Sequence, residues 1–254
     1  MSLHSRLTYG ALLLPLAIQA TEPKISLQWA ICDNDAATVL AKLDYDPDKP
    51  PYKENPIVYY DAWPPHYTRD GVAFRTKVKK HDPGYPISMI KARFEEFNED
   101  VPSAASCVWD RYGDDLTYTC GLAFNLSDAG GAEGKDVWSP EQVDFAEMYQ
   151  PVEWKELVPF GPYTNPKWKV HVLGMKAVFD DVRALPLHLM EIEVGVKQKG
   201  AEKVYEDVTR FLVERGVVLC EKQLPKTLRL FDFLVDEAAK GRDINGSGQI
   251  VVGQ

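Results

Sequence analysis

Long apolar runs and an excess of positive charge are both absent from this sequence. The longest apolar stretch of the 254 residues, residues 9–18, is about ten residues long, whereas a transmembrane helix requires about 20. The formal net charge is −9. An acidic surface repels phosphate backbones, so the composition argues against a nucleic-acid partner while leaving room for a local basic pocket. We therefore expect no membrane span and no nucleic-acid partner.

Closely spaced cysteines and histidines are also absent. The 4 cysteines and 5 histidines include no Cys-x-x-Cys pair and no His-x-x-x-His pair. Zinc sites need such spacing and a catalytic thiol needs a base, so neither kind of site is indicated. An even number of cysteines instead favours disulfides, which form and persist in oxidising compartments.

The N-terminal residues follow the order of a secretory signal peptide. Basic His4 and Arg6 precede the apolar residues 9–18, and the small residue Ala20 follows them. This order is typical of a segment that is removed on secretion, although a buried N-terminal strand or helix is the alternative. We expect a signal peptide over residues 1–20, one mature domain over residues 21–243 and a flexible tail over residues 244–254. The expected location is extracellular.

The 4 cysteines allow three pairings. The segment from Cys107 to Cys120 is typical of two strands around a turn at Gly113, which places these two cysteines opposite each other. We therefore predict a Cys107–Cys120 disulfide and, by elimination, a Cys32–Cys220 disulfide. The second bond would close a long loop and link the first strand to the last part of the fold.

Two Asn-x-Ser motifs begin at Asn125 and Asn245. Such motifs accept N-linked sugars only in a chain that enters the secretory pathway. We predict glycosylation at both asparagines if the signal peptide acts as expected.

Strand patterns dominate most of the chain, and helical patterns gather towards its end. Residues 72–78 are typical of a strand with Arg75 and Lys77 on one side and Phe74, Thr76 and Val78 on the other, whereas residues 201–214 carry apolar side chains on one helical face. Ser139 followed by Pro140 and Gln142 predicts the start of a further helix. This mixture is typical of an α+β fold with an antiparallel sheet. Because closure removes exposed strand edges, we predict a closed or nearly closed β-barrel with flanking helices.

Two of the predicted strands carry charges along one face. Arg75 and Lys77 share a side of one strand, and Glu191 and Glu193 share a side of the other. A half-buried strand with a solvated face is the simplest interpretation. Carboxylates two residues apart on a strand lie roughly 6–7 Å apart, so the two glutamates are also candidates for an acid–base pair.

The order of these segments resembles the CYTH or triphosphate tunnel superfamily. The segments that carry the resemblance are Tyr59-Tyr60-Asp61, residues 71–77, Lys91-Ala92-Arg93, and Met190 to Val194 followed by a helix and a lysine-rich segment. The likeness in element order covers about residues 24–240, and it is specific in two patches, residues 58–79 and 187–230.

The resemblance implies an eight-stranded antiparallel tunnel that binds a small, phosphate-rich anion. In such a tunnel inward cations grip phosphate oxygens and inward carboxylates hold Mg²⁺ or Mn²⁺. The implied phosphate-binding residues are Arg75, Lys77, Lys91, Arg93 and Lys226, with Lys222 an equally good alternative to the last. Glu191 and Glu193 would be both metal ligands and catalytic carboxylates.

The first strand departs from the pattern of this superfamily. Where the superfamily has Glu-x-Glu-x-Lys, this chain has Ser26-Leu27-Gln28-Trp29-Ala30. Loss of two acids lowers the expected metal affinity and weakens the case for an activated water. Three functions stay open: a metal-dependent hydrolase of phosphoric anhydrides, a non-catalytic module that binds a small ligand, and another secreted enzyme with Glu191 and Glu193 as its acid–base pair.

Overall fold

The computed structural model describes residues 24–79, 82–126, 137–244 and 250–251. The predicted signal peptide, Asn245 and most of the predicted tail lie outside the described residues. No helix within these ranges is long and apolar enough to cross a membrane.

The described residues form a large sheet, a short hairpin and helices that pack against the sheet. The helices are α1 (Ala36–Lys42), α2 (Pro140–Glu147), α3 (Ala201–Glu214) and α4 (Lys226–Ala239). The strands of the large sheet are β1 (Lys24–Ile31), β2 (Lys53–Glu54), β3 (Ile57–Asp61), β4 (Val72–Lys79), β5 (Asp82–Phe94), β6 (Ser106–Tyr112), β7 (Asp115–Asn125), β8 (Val158–Tyr163), β9 (Pro166–Val172), β10 (Met175–Ala184) and β11 (Leu187–Lys197). A 3₁₀ turn, Trp154–Glu156, precedes β8, and the hairpin consists of β12 (Asp243–Ile244) and β13 (Ile250–Val251).

The large sheet is 11-stranded, in the order β2-β9-β10-β11-β1-β6-β7-β5-β4-β3-β8. The predicted α+β class is confirmed. We predicted an eight-stranded, antiparallel barrel that is closed or nearly closed, whereas the sheet has 11 strands, is not closed and includes a parallel pair. The hydrogen-bonded ladder ends at β2 and at β8, which are its edges in the described part of the chain. An isolated bridge between Thr164 and Arg183 links the β8 side to β10.

Strand β1 explains why the sheet is mixed. Ser26 lies opposite Gly195 of the antiparallel strand β11 and opposite Asp110 of the parallel strand β6. The chain enters β6 only after it has passed through α1 and β2 to β5, and it then runs in the same direction as β1. Alternation of apolar residues gives the faces of a strand but not the direction of its partner, so the pattern could not predict this pairing.

The sheet rolls so that its inner face surrounds a cavity while its outer face is covered by helices. Helices α1 and α3 cover β1 and β9 to β11, and Trp29 of β1 is fully buried beneath them. The Trp29 ring stacks on Tyr205 with ring centroids 4.8 Å apart, and its Nε1 donates a 2.8 Å hydrogen bond to Thr209 Oγ1. Trp29 therefore fills the core, which leaves the opposite face of β1 to line the cavity.

Helix α2 covers another part of the outer face, whereas α4 packs against the inner face at one end of the cavity, where it contacts the cluster of Ile57, Tyr59 and Val182. Phe145 of α2 packs with Phe74 of β4, and Phe231 of α4 packs with Leu189 of β11. Ser139 caps α2 in the capping box predicted from the sequence, since its side chain accepts from the Gln142 N–H. The α2 contacts hold β4 with its charged face turned inward, and α4 places its first residues beside the charged faces of β10 and β11.

Both predicted disulfides are present. Cys107 and Cys120 are paired across the β6–β7 ladder, and Cys32 is bonded to Cys220, 188 residues away in sequence. The Cys220 N–H also donates a 2.9 Å hydrogen bond to the Ala30 carbonyl. The end of β1 is thus fixed to the segment that leads directly into α4.

Asn125 lies exposed at the end of β7. The serine of its motif, Ser127, lies outside the described residues, so glycosylation at Asn125 stays a prediction. The domain limits proposed from the sequence likewise stay a prediction.

Candidate functional site

The rolled sheet encloses a cavity of about 290 Å³ whose lining is dominated by charged side chains. The lining comes from the inner faces of β1, β3 to β6 and β9 to β11, and from the first residues of α4. Its basic residues are Arg75, Lys77, Lys91, Arg93, Lys167 and Lys226, and its acidic residues are Asp110, Asp180, Glu191 and Glu193. All five residues predicted to bind phosphate and both predicted glutamates line this one cavity.

The alternative lysine, Lys222, lies elsewhere. It lines a separate surface groove beside the Cys32–Cys220 disulfide, together with Arg229 and Asp232. Of the two late lysines left open by the sequence, Lys226 is therefore the one in the cavity.

On one side of the cavity, Lys226 is held by carboxylates. Its Nζ lies 2.6 Å from both oxygens of Asp180 and 2.8 Å from Glu191 Oε2. Burial alone would raise the pKa of Asp180, but Lys226 and Lys167 outweigh it and keep that pKa below its usual value. Burial would likewise lower the pKa of Lys226, but Asp180 and Glu191 raise it above its usual value. Asp180 and Lys226 therefore both stay charged at neutral pH.

Glu191 is only 3% exposed, and each of its two carboxylate oxygens contacts a hydrogen-bond donor. Its Oε1 accepts a 2.8 Å hydrogen bond from the backbone N–H of Lys226, the first residue of α4, and lies 3.2 Å from the Tyr112 hydroxyl. A carboxylate at this point satisfies a helix N–H that has no partner within the helix. Glu191 therefore fixes the start of α4 as well as the Lys226 side chain.

The neutral residues of β1 continue this network. The Gln28 amide donates a 2.8 Å hydrogen bond to Asp110 Oδ1, and its oxygen accepts from the Tyr112 hydroxyl. The Ser26 hydroxyl donates a 3.0 Å hydrogen bond to Glu193 Oε1. Gln28 and Ser26 thus stand where the superfamily pattern has glutamates, and they act as donors to carboxylates.

The opposite side of the cavity carries unpaired cations. Arg75 and Lys77 of β4 and Lys91 and Arg93 of β5 form no ion pair within 4.0 Å in the portion of the chain that is described. Burial lowers the pKa of Lys91 to about 8, and Arg75 adds to the effect. Repulsion from Arg75, followed by burial, lowers the pKa of Lys77 well below its usual value.

Several buried polar atoms of the lining have no hydrogen-bond partner among the described residues. They are Tyr59 Oη, Arg75 Nε, Arg93 Nη1 and Asn165 Oδ1. Unsatisfied buried donors are costly, so native sites of this kind call for water or a ligand. The one polar contact of the Arg75 guanidinium given by the structure is with Met89 Sδ at 3.0 Å. This side of the cavity therefore combines unpaired cations with buried donors of Arg75 and Arg93 that lack a partner among the described residues.

Sequence reasoning missed several members of the site. Asp110, Asp180 and Lys167 were not predicted, although each lies on a strand with its charge turned inward. Asp180 is followed by Asp181, and the two point to opposite faces, so the pattern alone could not tell which one enters the cavity. The parallel β1–β6 pairing that brings Asp110 to Gln28 carried no signal in the sequence.

The sequence matches no protein-family model and no curated protein. Solved structures do resemble the fold. A candidate adenylate cyclase from Bacillus halodurans is 13% identical, with 82% of this chain and 97% of that chain covered at a TM-score of 0.54.

Two further structures are also 13% identical to this chain. One is a candidate adenylyl cyclase from Hippeastrum with a dominant triphosphatase activity, with 88% of this chain and 99% of that chain covered at a TM-score of 0.49. The other is a protein from Pyrococcus horikoshii, with 83% of this chain and 99% of that chain covered at a TM-score of 0.43.

The likeness to the Bacillus structure establishes a fold and no activity, because so little of the sequence is shared. The resemblance predicted from the sequence is confirmed at that level, and the chain has the CYTH-like triphosphate tunnel fold. Its cavity is the tunnel of that fold.

The residues of this tunnel do not fit a divalent cation. Across the described ranges, no group of three His, Cys, Asp or Glu side chains is arranged to hold a metal ion. Both oxygens of Glu191 are taken by Lys226, and Glu193, although it lines the cavity, is exposed and accepts from Ser26. The oxygen atoms that bind a metal ion need free lone pairs directed at a common point. The Mg²⁺ or Mn²⁺ site that the resemblance implied is therefore not supported by this chain's own residues.

Proposed function

We propose that the tunnel binds a compact anion with several phosphate groups and does not hydrolyse it. The observation that carries the proposal is the group of four unpaired cations on β4 and β5. Like charges gathered in a partly dehydrated cavity repel one another, and a multivalent anion turns that repulsion into attraction. Arg75 and Arg93 add bidentate contacts that match phosphate oxygens.

The division of charge in the tunnel supports binding over hydrolysis. The carboxylates lie on the side of β6, β10 and β11, where Lys226 and Lys167 already compensate Asp180. A hydrolase needs a group that activates water, but Glu191 is engaged by Lys226 on both oxygens. For the same reason the two glutamates are not proposed as an acid–base pair.

Other features of the chain support an extracellular location. The two disulfides fit an extracellular protein, as do the predicted signal peptide and the Asn-x-Ser motifs. We propose that the anion is met outside the cell, where Glu191 and Glu193 serve structure and electrostatics and the β4 and β5 cations serve binding.

Calorimetric titration with inorganic tripolyphosphate tests the proposal. The full chain is titrated in a Mg²⁺ buffer and, in parallel, in EDTA, and binding at one site in either buffer supports the proposal. Lys77→Met should weaken the affinity about tenfold to hundredfold, because a hydrogen bond to a charged group contributes about 1.5–3 kcal/mol. Lys203→Met is the matched control, since Lys203 is an exposed lysine of α3 far from the tunnel lining.

Two results would count against the proposal. One is the absence of tripolyphosphate binding in both buffers. The other is steady release of inorganic phosphate that Glu191→Gln abolishes, since that would make the tunnel a hydrolase.

A further inference from the structure

We infer that the tunnel holds its anion without a divalent cation, because the Lys226 ammonium and the Gln28 amide take the places of a metal ion and of one of its carboxylate ligands. The inference rests on the proposed function for the nature of the anion. It goes further in assigning a role to two residues that do not belong to the group of unpaired cations.

The contacts of Lys226 are those of a bound cation. Its Nζ touches three carboxylate oxygens, two of Asp180 and one of Glu191, at 2.6 to 2.8 Å. A divalent ion would need the same oxygens at about 2.0–2.6 Å. The remaining Glu191 oxygen accepts a hydrogen bond from the backbone N–H of Lys226, so Lys226 contacts both oxygens of this carboxylate.

This ammonium is tethered in place by the fold. Lys226 is the first residue of α4, and the preceding segment is bonded to β1 through Cys220. Gln223 strengthens the attachment, since its side chain bonds both the N–H and the carbonyl of Ala30. A tethered cation is always present at its site, whereas a metal ion must bind from solution. Asp180 and Glu191 are therefore paired with a cation whether or not a metal is available.

Gln28 stands in the place of a carboxylate ligand. Its amide nitrogen lies 2.8 Å from Asp110 Oδ1 and its oxygen accepts from Tyr112, whose hydroxyl also reaches Glu191. A glutamate here would have almost the same shape but would bring a negative charge against Asp110 and close to Glu191. Three carboxylates would then converge, which is the arrangement that calls for a hard cation.

The test compares Mn²⁺ binding by the native chain and by the Gln28→Glu/Lys226→Met double variant, with no anion present. Binding is followed by calorimetry and by the electron spin resonance signal of free Mn²⁺. We expect no stoichiometric binding by the native chain below about 1 mM and one bound Mn²⁺ with a Kd below about 1 mM in the double variant. Lys226→Met alone, which adds no carboxylate, is the matched control and should bind at least tenfold more weakly than the double variant.

The double variant is checked for folding by circular dichroism. Should it fail to fold, the native chain decides the matter: its affinity for tripolyphosphate should agree within about threefold between Mg²⁺ and EDTA buffers. Stoichiometric Mn²⁺ binding by the native chain would overturn the inference. So would a strict Mg²⁺ requirement for tripolyphosphate, or a folded double variant that fails to bind Mn²⁺. Failure of the proposed function itself is a different result, namely no tripolyphosphate binding in any buffer, and it leaves the Mn²⁺ comparison untouched.

Discussion

Replacing Lys91 with methionine should stabilise the ligand-free protein and weaken its binding of phosphate. Lys91 lies on β5 within the group of unpaired cations, and its pKa is lowered from 10.5 to about 8 by burial and by Arg75. Methionine keeps most of the length of the side chain but removes the charge. The substitution therefore removes repulsion when the tunnel is empty and removes attraction when it is filled.

The size of the effect follows from the pKa. A shift of about 2.5 units corresponds to roughly 3 kcal/mol at neutral pH, and because the side chain is only partly buried we expect about 1–3 kcal/mol. Between pH 8 and 10.5 the unfolded chain holds this proton more tightly than the folded chain does. Stability of the native protein should therefore rise with pH through that window, and the advantage of the variant should shrink.

Urea denaturation at pH 7 and at about pH 10 measures this difference, with and without tripolyphosphate. The variant should be more stable at pH 7 without ligand, close to the native protein at the higher pH, and less stabilised by ligand. Lys203→Met, on the exposed face of α3, should stay within about 0.5 kcal/mol of the native protein. A Lys91→Met protein that is less stable than the native chain at pH 7 without ligand would refute the reasoning, because it would mean that the ammonium has a favourable partner.

The remaining predictions concern other parts of the molecule. Tripolyphosphate affinity should fall above pH 8, by up to tenfold per pH unit, as Lys91 loses its proton, and calorimetry at pH 7, 8 and 9 would show a flat profile if another group controls binding. Asp61→Asn should lower the free energy of unfolding by about 2–3 kcal/mol, because the buried Asp61 carboxylate accepts from the backbone N–H groups of residues 62 and 66–68; urea denaturation measures the loss, and a change below about 0.5 kcal/mol would contradict it. Replacing Cys32 and Cys220 together with serine should cost about 2–5 kcal/mol in the same assay, and an unchanged unfolding midpoint would count against a structural role for the bond. Expression in a secretory cell should yield a protein in the medium that begins near Thr21 and loses mass on deglycosylation; a retained and unprocessed chain would contradict both predictions.

The features that could be predicted are those whose signal lies within one local segment, namely a strand, a helix start or a hairpin. The two-residue repeat of a strand put Arg75 and Lys77 on one face of β4, and both line the cavity. The Ser139 motif predicted the start of α2, and the spacing around Gly113 predicted the Cys107–Cys120 bond. In each case neighbouring residues determine the outcome through backbone geometry alone.

The features that were missed depend on contacts between distant segments. The ion pairs of Lys226 with Asp180 and Glu191 could not be predicted, because these residues approach one another only after β10, β11 and α4 have assembled. The open, mixed sheet was missed for the same reason, since no local pattern states that β6 will run parallel to β1. Periodicity assigns each side chain to a face, and tertiary assembly decides what that face meets.

The central position of β1 has a consequence for how the protein folds. Although β1 is the first described strand in the chain, it joins the β2-β9-β10-β11 portion of the sheet to the β6-β7-β5-β4-β3-β8 portion. Neither of its ladders can form until β6, and later β11, has been synthesised, so the strand that emerges first completes its pairing last. Such long-range pairing slows folding and leaves an apolar strand exposed in the meantime. Deleting β1 would therefore do more than trim the N-terminus, because it would divide the ladder into two portions that are linked through the isolated Thr164–Arg183 bridge.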